Sequence, residues 1–194
     1  MHTRAPTAEP TMPALPLRTP ALLLRQFVPT DAPRVMTLNN EETTRRWLPS
    51  HAYADLDEAA AAMADLIACY AFPGDPRLGP YVLGVEQRES GQLLGHVGFS
   101  PLGDDVEVSY AIAQQARGRG HGREALAFAC RWAATTFSLR RVVAITAAAN
   151  LPSRRTLGRA GFVHAGTGLM RFQGIEQEVS RYAWLADKPD AEGD

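Results

Sequence analysis

The stretch from Ser109 to Leu126 constrains this chain more than any other. Apolar residues alternating as in a strand give way to Arg117-Gly-Arg-Gly120-His-Gly122, and helix-forming sequence follows at once. A helix that starts this way presents backbone N–H groups with no intrahelical partner, at the positive end of its dipole. Gly118, Gly120 and Gly122 omit the Cβ atoms that would hold an anion away from those donors, and Arg117, Arg119 and Arg123 add positive charge. The pattern predicts a site for a diphosphate.

Two familiar phosphate loops fail on spacing. A P-loop needs G-x-x-x-x-G-K-[ST], and the only lysine in the chain is Lys188, far from any such run. A dinucleotide fingerprint needs G-x-G-x-x-G and a ribose-binding acid about 20 residues later. Here the third glycine comes too early, and the corresponding downstream positions are Ser138, Leu139, Arg140 and Arg141, with no acid.

The rest of the chain organises around that segment. Residues 1–20 carry Pro6, Pro10, Pro13, Pro16 and Pro20 and read as a disordered or polyproline-like tail. Residues 187–194 read as a polar tail, which leaves one domain over 21–186. Strands are expected over 22–27, 81–87, 93–99, 106–113, 142–146, 162–172 and 176–185. Helices are expected over about 32–40, from Asp55 or Asp57 to about Tyr70, from the glycine loop to about Phe137, and over 153–160. This order predicts a mixed α/β sheet with helices on its faces. A formal charge of -1 gives no attraction to nucleic acid or to an anionic membrane. The apolar runs are too short for a membrane span or a signal segment, so a cytoplasmic location is expected. Cys69 and Cys130 have no CxxC or metal spacing and read as buried free thiols. The histidines are scattered, so no metal is expected.

Two motifs then converge. Arg117 to Gly122 resembles the R/Q-x-x-G-x-G/A loop of the GCN5-related N-acetyltransferases (GNAT). Asn150-Leu-Pro-Ser-Arg-Arg155, followed by Gly161-Phe162, resembles the same family's N-x-x-S-x-R…G-F, and the element order is similar from Leu22 to Leu185. The resemblance implies a single-domain, mostly antiparallel sheet flanked by helices, with acetyl-CoA as cosubstrate. It places the pyrophosphate on Arg117, Gly118, Arg119, Gly120, His121 and Gly122, and sets Asn150, Ser153 and Arg155 beside the pantetheine arm and phosphates. It also implies a backbone N–H near Ala111 or Ile112, where the family opens a bulge between neighbouring strands, as donor to the thioester oxygen. Val106-Glu-Val-Ser-Tyr110, Gly174 and Tyr182 are similar to the RimJ/RimL-like branch, which acetylates protein N-termini and other amines; a homodimer is consistent with that family. Ser109 stands where the branch has glycine, Ala111 where it has tryptophan, and Glu178 where it has aspartate.

Amine acetylation needs a proton acceptor, a dipole at the thioester oxygen and an acid for the leaving thiolate. Glu107 is the candidate base. In a strand it shares a face with Ser109 and Ala111, opposite Val106, Val108, Tyr110 and Ile112. His96 is the alternative base. Ser153 is either the acid or a helix cap beside Pro152, with Tyr110 as reserve acid. Trp47 and Tyr53 are candidate walls of the acceptor cleft, and Glu41, Glu42, Asp55, Asp57 and Glu58 could draw a cationic acceptor. With no cysteine near either motif, direct attack of the amine is expected. The acceptor is a protein N-terminus or a small amine; the competing reading is a regulatory module that binds acyl-CoA without catalysis.

Overall fold

A computed structural model describes residues 15–186 of the chain. One sheet runs through the molecule in the order β1-β2-β3-β4-β5-β6-β8-β7. Its strands are β1 (Leu17–Arg18), β2 (Leu22–Gln26), β3 (Tyr81–Gln87), β4 (Leu93–Leu102), β5 (Asp105–Ile112), β6 (Arg141–Ala147), β7 (Val163–Phe172) and β8 (Ile175–Leu185). The helices are α1 (Ala32–Asn39), α2 (Glu42–Trp47), α3 (Leu56–Ala71), α4 (His121–Phe137) and α5 (Leu151–Arg159). The neighbouring strands pair antiparallel except β5 and β6, which run parallel.

The long elements lie where the hydrophobic periods put them, and Asp55 caps α3 by accepting the Glu58 amide. Two features escape that reading. The sheet begins inside the stretch expected to be a tail: Leu17 and Arg18 pair with Leu24 and Leu23, and Thr19 is buried with its hydroxyl on Glu124. That single bond, with the Ala21 amide on the same carboxylate, fastens the proline-rich segment to the first turn of α4. The remainder of both expected tails, 1–14 and 187–194, lies outside the described residues. The second feature is α2, six residues long and followed by a 3-10 turn at Pro49–His51, in a connection with no apolar period of its own.

The core lies between the sheet and the helices. On α4 the buried side chains Ala125, Leu126, Ala129, Cys130 and Ala133 form one stripe, and small residues there allow close approach to the sheet. Cys130 is buried as expected, whereas Cys69 is only half-buried.

The functional consequence lies in β5. Its pairing with β4 is unbroken from Gly95↔Ile112 to Leu102↔Asp105, but its parallel pairing with β6 is confined to Glu107↔Val143. Beyond that pair the two strands part, while β6 stays paired with β8 as far as Ala147↔Val179. The opening expected between neighbouring strands near Ala111 and Ile112 takes the form of a splay of β5 from β6; the register shifts of the sheet lie in the β3–β4 and β7–β8 pairings. Gly95 is required opposite the splay, because a Cβ there would stand 2.0 Å from the Ala111 carbonyl oxygen.

Candidate active site

A cavity of about 720 Å³ occupies the splay and continues past the N-terminal end of α4. It is lined by β5 from Glu107 to Ile112, by Ala144 to Thr146 of β6, by the glycine loop, by the start of α5, and by α2 with the β7–β8 turn.

Gly118 and Gly120 have φ of +76° and +86°, and no atom lies within 4 Å of where a Cβ would stand on either. They supply a left-handed path into α4 and leave open space before it. Gly120 is the N-cap and makes no side-chain cap, so the first N–H groups of α4 face that space without a competing acceptor from a cap. This is a cradle into which a diphosphate fits. Gly122 lines the cavity and also has a packing role. A Cβ there would come within 3.2 Å of the Tyr110 ring and 3.4 Å of Thr156, so this glycine lets α4 pack on β5 and α5. His121 is buried at the mouth of the helix, and its Nδ1 has no partner.

The arginines divide. Arg123 and Arg155 line the cavity with exposed side chains, and Arg159 joins them one turn further along α5. Arg119 is exposed and does not line it. Arg117, expected on the phosphates, also lines the cavity, but its guanidinium donates to the Ile112 carbonyl and to Thr43 and Thr44 of α2.

Glu107 sits where the splay begins. Burial raises its carboxyl above the ordinary range, opposed by a bond from the Ile145 backbone N–H. That amide, two residues past Val143 of the β5–β6 pair, thus finds the carboxylate across the widening gap. His96 is a different case. It lies in the middle of β4, fully enclosed, with its ring 5.7 Å from that of His51 and Nε2 unpartnered. Burial, with His51 beside it, drives its pKa down to about 3, and the ring does not reach the cavity wall. The alternative base thus stands off the cavity lining, to which His51 and His121 contribute the imidazoles.

At α5 the helix begins two residues earlier than expected, and its cap is Asn150, whose Oδ1 accepts the Ser153 amide at 3.2 Å. Ser153 is thus the third helical residue and not the cap. Its Oγ accepts a bond of 3.4 Å from the Tyr110 hydroxyl. Burial raises the Tyr110 pKa against the pull of the Ser153 and Thr156 hydroxyls, so the phenol stays protonated at neutral pH. Asn150 retains its Nδ2 group at the cavity wall.

Backbone alternation along β5 separates Ala111 from Ile112. The Ala113 N–H donates to Leu94 of β4 at 2.7 Å, so in an antiparallel ladder the Ala111 N–H also faces β4, and those of Tyr110 and Ile112 face the splay.

The far wall holds residues that carried no motif: Thr43, Thr44, Leu48, His51, Phe172 and Gln173, together with Trp47. Ser50 donates to Gln173 Oε1 at 2.7 Å, joining the Pro49–His51 turn to the β7–β8 turn. Tyr53 does not line the cavity; its backbone is held by the Asn40 side chain. Nor do the acidic residues of this region. Asp55 caps α3, Glu58 accepts the Ala54 amide, and Glu41 turns toward Gln114 and Arg117. Glu107 is the carboxylate among the lining residues.

Residues 21–163 match the model of the acetyltransferase (GNAT) domain. The chain belongs to the GNAT acetyltransferase family. The shared chemistry of that family is acetyl transfer from acetyl-CoA. The fold of this acetyltransferase is similar to that of the ribosomal-protein-S5-alanine acetyltransferase of Vibrio fischeri, at 17% identity and a TM-score of 0.75 over 89% of this chain and 97% of that one. It is similar to RimL, a ribosomal L7/L12 alpha-N-protein acetyltransferase solved with coenzyme A, at 17% identity and 0.72 over 88% and 97%. It is also similar to MccE, a microcin C7 self-immunity acetyltransferase solved with acetyl-CoA and AMP, at 14% identity and 0.74 over 87% and 94%. The RimJ/RimL-like branch is thus represented among structures that share this fold. No curated protein sequence matches the chain. Among the described residues of the acetyltransferase, no helix is long and apolar enough to cross a membrane.

Proposed function

We propose that the protein transfers an acetyl group from acetyl-CoA to a primary amine carrying a single positive charge, a peptide N-terminus foremost, by direct attack. Acetyl-CoA supplies the activated acyl thioester. Gly118, Gly120 and the first amides of α4 hold its diphosphate, with Arg123 and Arg155 at the rim. Asn150 offers Nδ2 to the pantetheine arm. Ile112, whose N–H faces the splay, donates to the thioester oxygen in preference to Ala111. Glu107 takes the amine proton. A buried carboxyl with a raised pKa is better matched to an α-amine near 8 than to a lysine near 10.4. Tyr110, through Ser153, returns a proton to the leaving thiolate. Cys69 and Cys130 are absent from the cavity lining, which favours direct attack over an acyl-enzyme.

The observation that carries this reading is the position of Glu107, half-enclosed at the root of the splay between the two strands that flank the cavity. It also orders the acceptors. A polyamine or aminoglycoside brings several charges into a cavity whose lining presents one carboxylate, and each further ammonium would be desolvated without a partner. The discriminating experiment follows thiol release from acetyl-CoA with an alanyl N-terminal peptide, spermidine and an aminoglycoside. The peptide should exceed the polycations in kcat/KM by about tenfold or more. Faster turnover of either polycation overturns the acceptor class. Coenzyme A binding with no thiol release from any acceptor supports the regulatory-module reading instead.

A further inference from the structure

The fate of Arg117 assigns it work on the acceptor side of the site. Its Nε donates to the Ile112 carbonyl at 2.7 Å, one terminal nitrogen donates to Thr43 Oγ1, and the other donates to Thr44 Oγ1 at 3.3 Å and lies 3.5 Å from the Glu41 carboxylate. All three nitrogens are engaged by protein, in the forked geometry that a guanidinium has and an ammonium lacks. Glu41 completes the clamp. As the N-cap residue of α2 it makes no cap with its own side chain, and its Oε2 accepts the Gln114 amide at 2.8 Å instead. Two side chains therefore tie α2 to the connection between β5 and α4, across more than seventy residues of sequence.

What they tie is specific. Thr43, Thr44 and Trp47 of α2 line the cavity, and Ile112 ends the strand that carries Glu107. We propose that Arg117 is a positioning residue that, with Glu41, fixes the α2 wall of the acceptor cleft relative to Ile112, and that it does not hold the phosphates of the cosubstrate. Because Arg117 is also the first residue of the glycine loop, the acceptor wall and the diphosphate cradle are built on one short piece of chain. The proposal rests on the acetyl-transfer reading above for the meaning of the wall, but not for the contacts.

Arg117→Lys separates the two roles, since a lysine keeps the charge a phosphate would use and loses the fork. In this variant the amides of Glu42–Trp47 should exchange with deuterium about tenfold faster or more, with α3 unchanged, while coenzyme A affinity by calorimetry stays within about twofold of wild type. Thr43→Val combined with Thr44→Val, which removes partners of Arg117 and touches no phosphate site, should reproduce the faster exchange. With the alanyl peptide as acceptor, KM for the peptide should rise while kcat changes little. Coenzyme A affinity lowered more than about fivefold in Arg117→Lys, with or without a change in α2, returns the residue to the phosphates and overturns the proposal, as does unchanged exchange in α2. The exchange and calorimetric measurements need no acceptor, so they decide this proposal even where the acceptor assignment fails.

Discussion

Glu107 shows what one residue carries and how much of it a sequence reveals. Its place before the glycine loop was readable from strand alternation, but its raised pKa comes from burial in the folded sheet, opposed by the amide of Ile145 in a strand nearly forty residues away. The raised pKa has a thermodynamic sign. A carboxyl held above its ordinary value of 4.5 contributes fully to stability below that value, and the contribution is lost as pH rises through the folded pKa. At neutral pH the protein therefore carries an enclosed carboxylate that folding disfavours. Glu107→Gln, which keeps an oxygen for the Ile145 amide, should melt at a higher temperature than wild type at pH 7, with the difference closing as pH falls below about 4 in thermal denaturation. The same variant should lose turnover by about 10²-fold, less at high pH where free amine accumulates. His96 illustrates the converse. Its residue type suits a base, and only the fold reveals that it is enclosed in the sheet.

At the level of elements, the start of α5 separates two residues that share one motif. Asn150 closes the helix by accepting the Ser153 amide, and Ser153 places its hydroxyl beside Tyr110. Asn150→Ala should therefore lower stability by about 1 kcal/mol in denaturant titration, and Asn150→Asp should restore it. Ser153→Ala should leave stability within about 0.5 kcal/mol while slowing acetyl transfer. The reverse pattern would make Ser153 the structural member of the pair. The helix was readable from Pro152, but that proline is compatible with more than one starting residue, so the cap was displaced by a short step. Strong periodicity placed α3, α4 and the long strands. The six residues of α2 are too few to show a period, and β1 is held by pairing with β2 and by Glu124, neither of which is local.

For the molecule as a whole, the sheet, its helices and the open glycine turn before α4 follow from local patterns, whereas the wall proposed for the acceptor comes from α2, the Pro49–His51 turn and the β7–β8 turn, segments with no shared motif. Gly122 and Arg117 line the cavity as their spacing led one to expect, and each also has a packing or hydrogen-bonding partner that no local pattern reveals. Binding at a preformed cradle should stabilise the entire fold by mass action, so coenzyme A at about 100 times its Kd should add about 2.7 kcal/mol, seen as a rise in melting temperature. Gly120→Val, which forces a branched side chain into a left-handed backbone, should abolish most of that rise in whatever fraction folds. The bond between Ser50 and Gln173 has a consequence for traffic. It joins two segments more than a hundred residues apart, and Gln173 lines the cavity that also holds Glu107. For the acceptor proposed above, a slender chain end would pass beside such a bond more readily than an amine on a broad rigid body. Under that proposal, selection would act on girth as well as on charge.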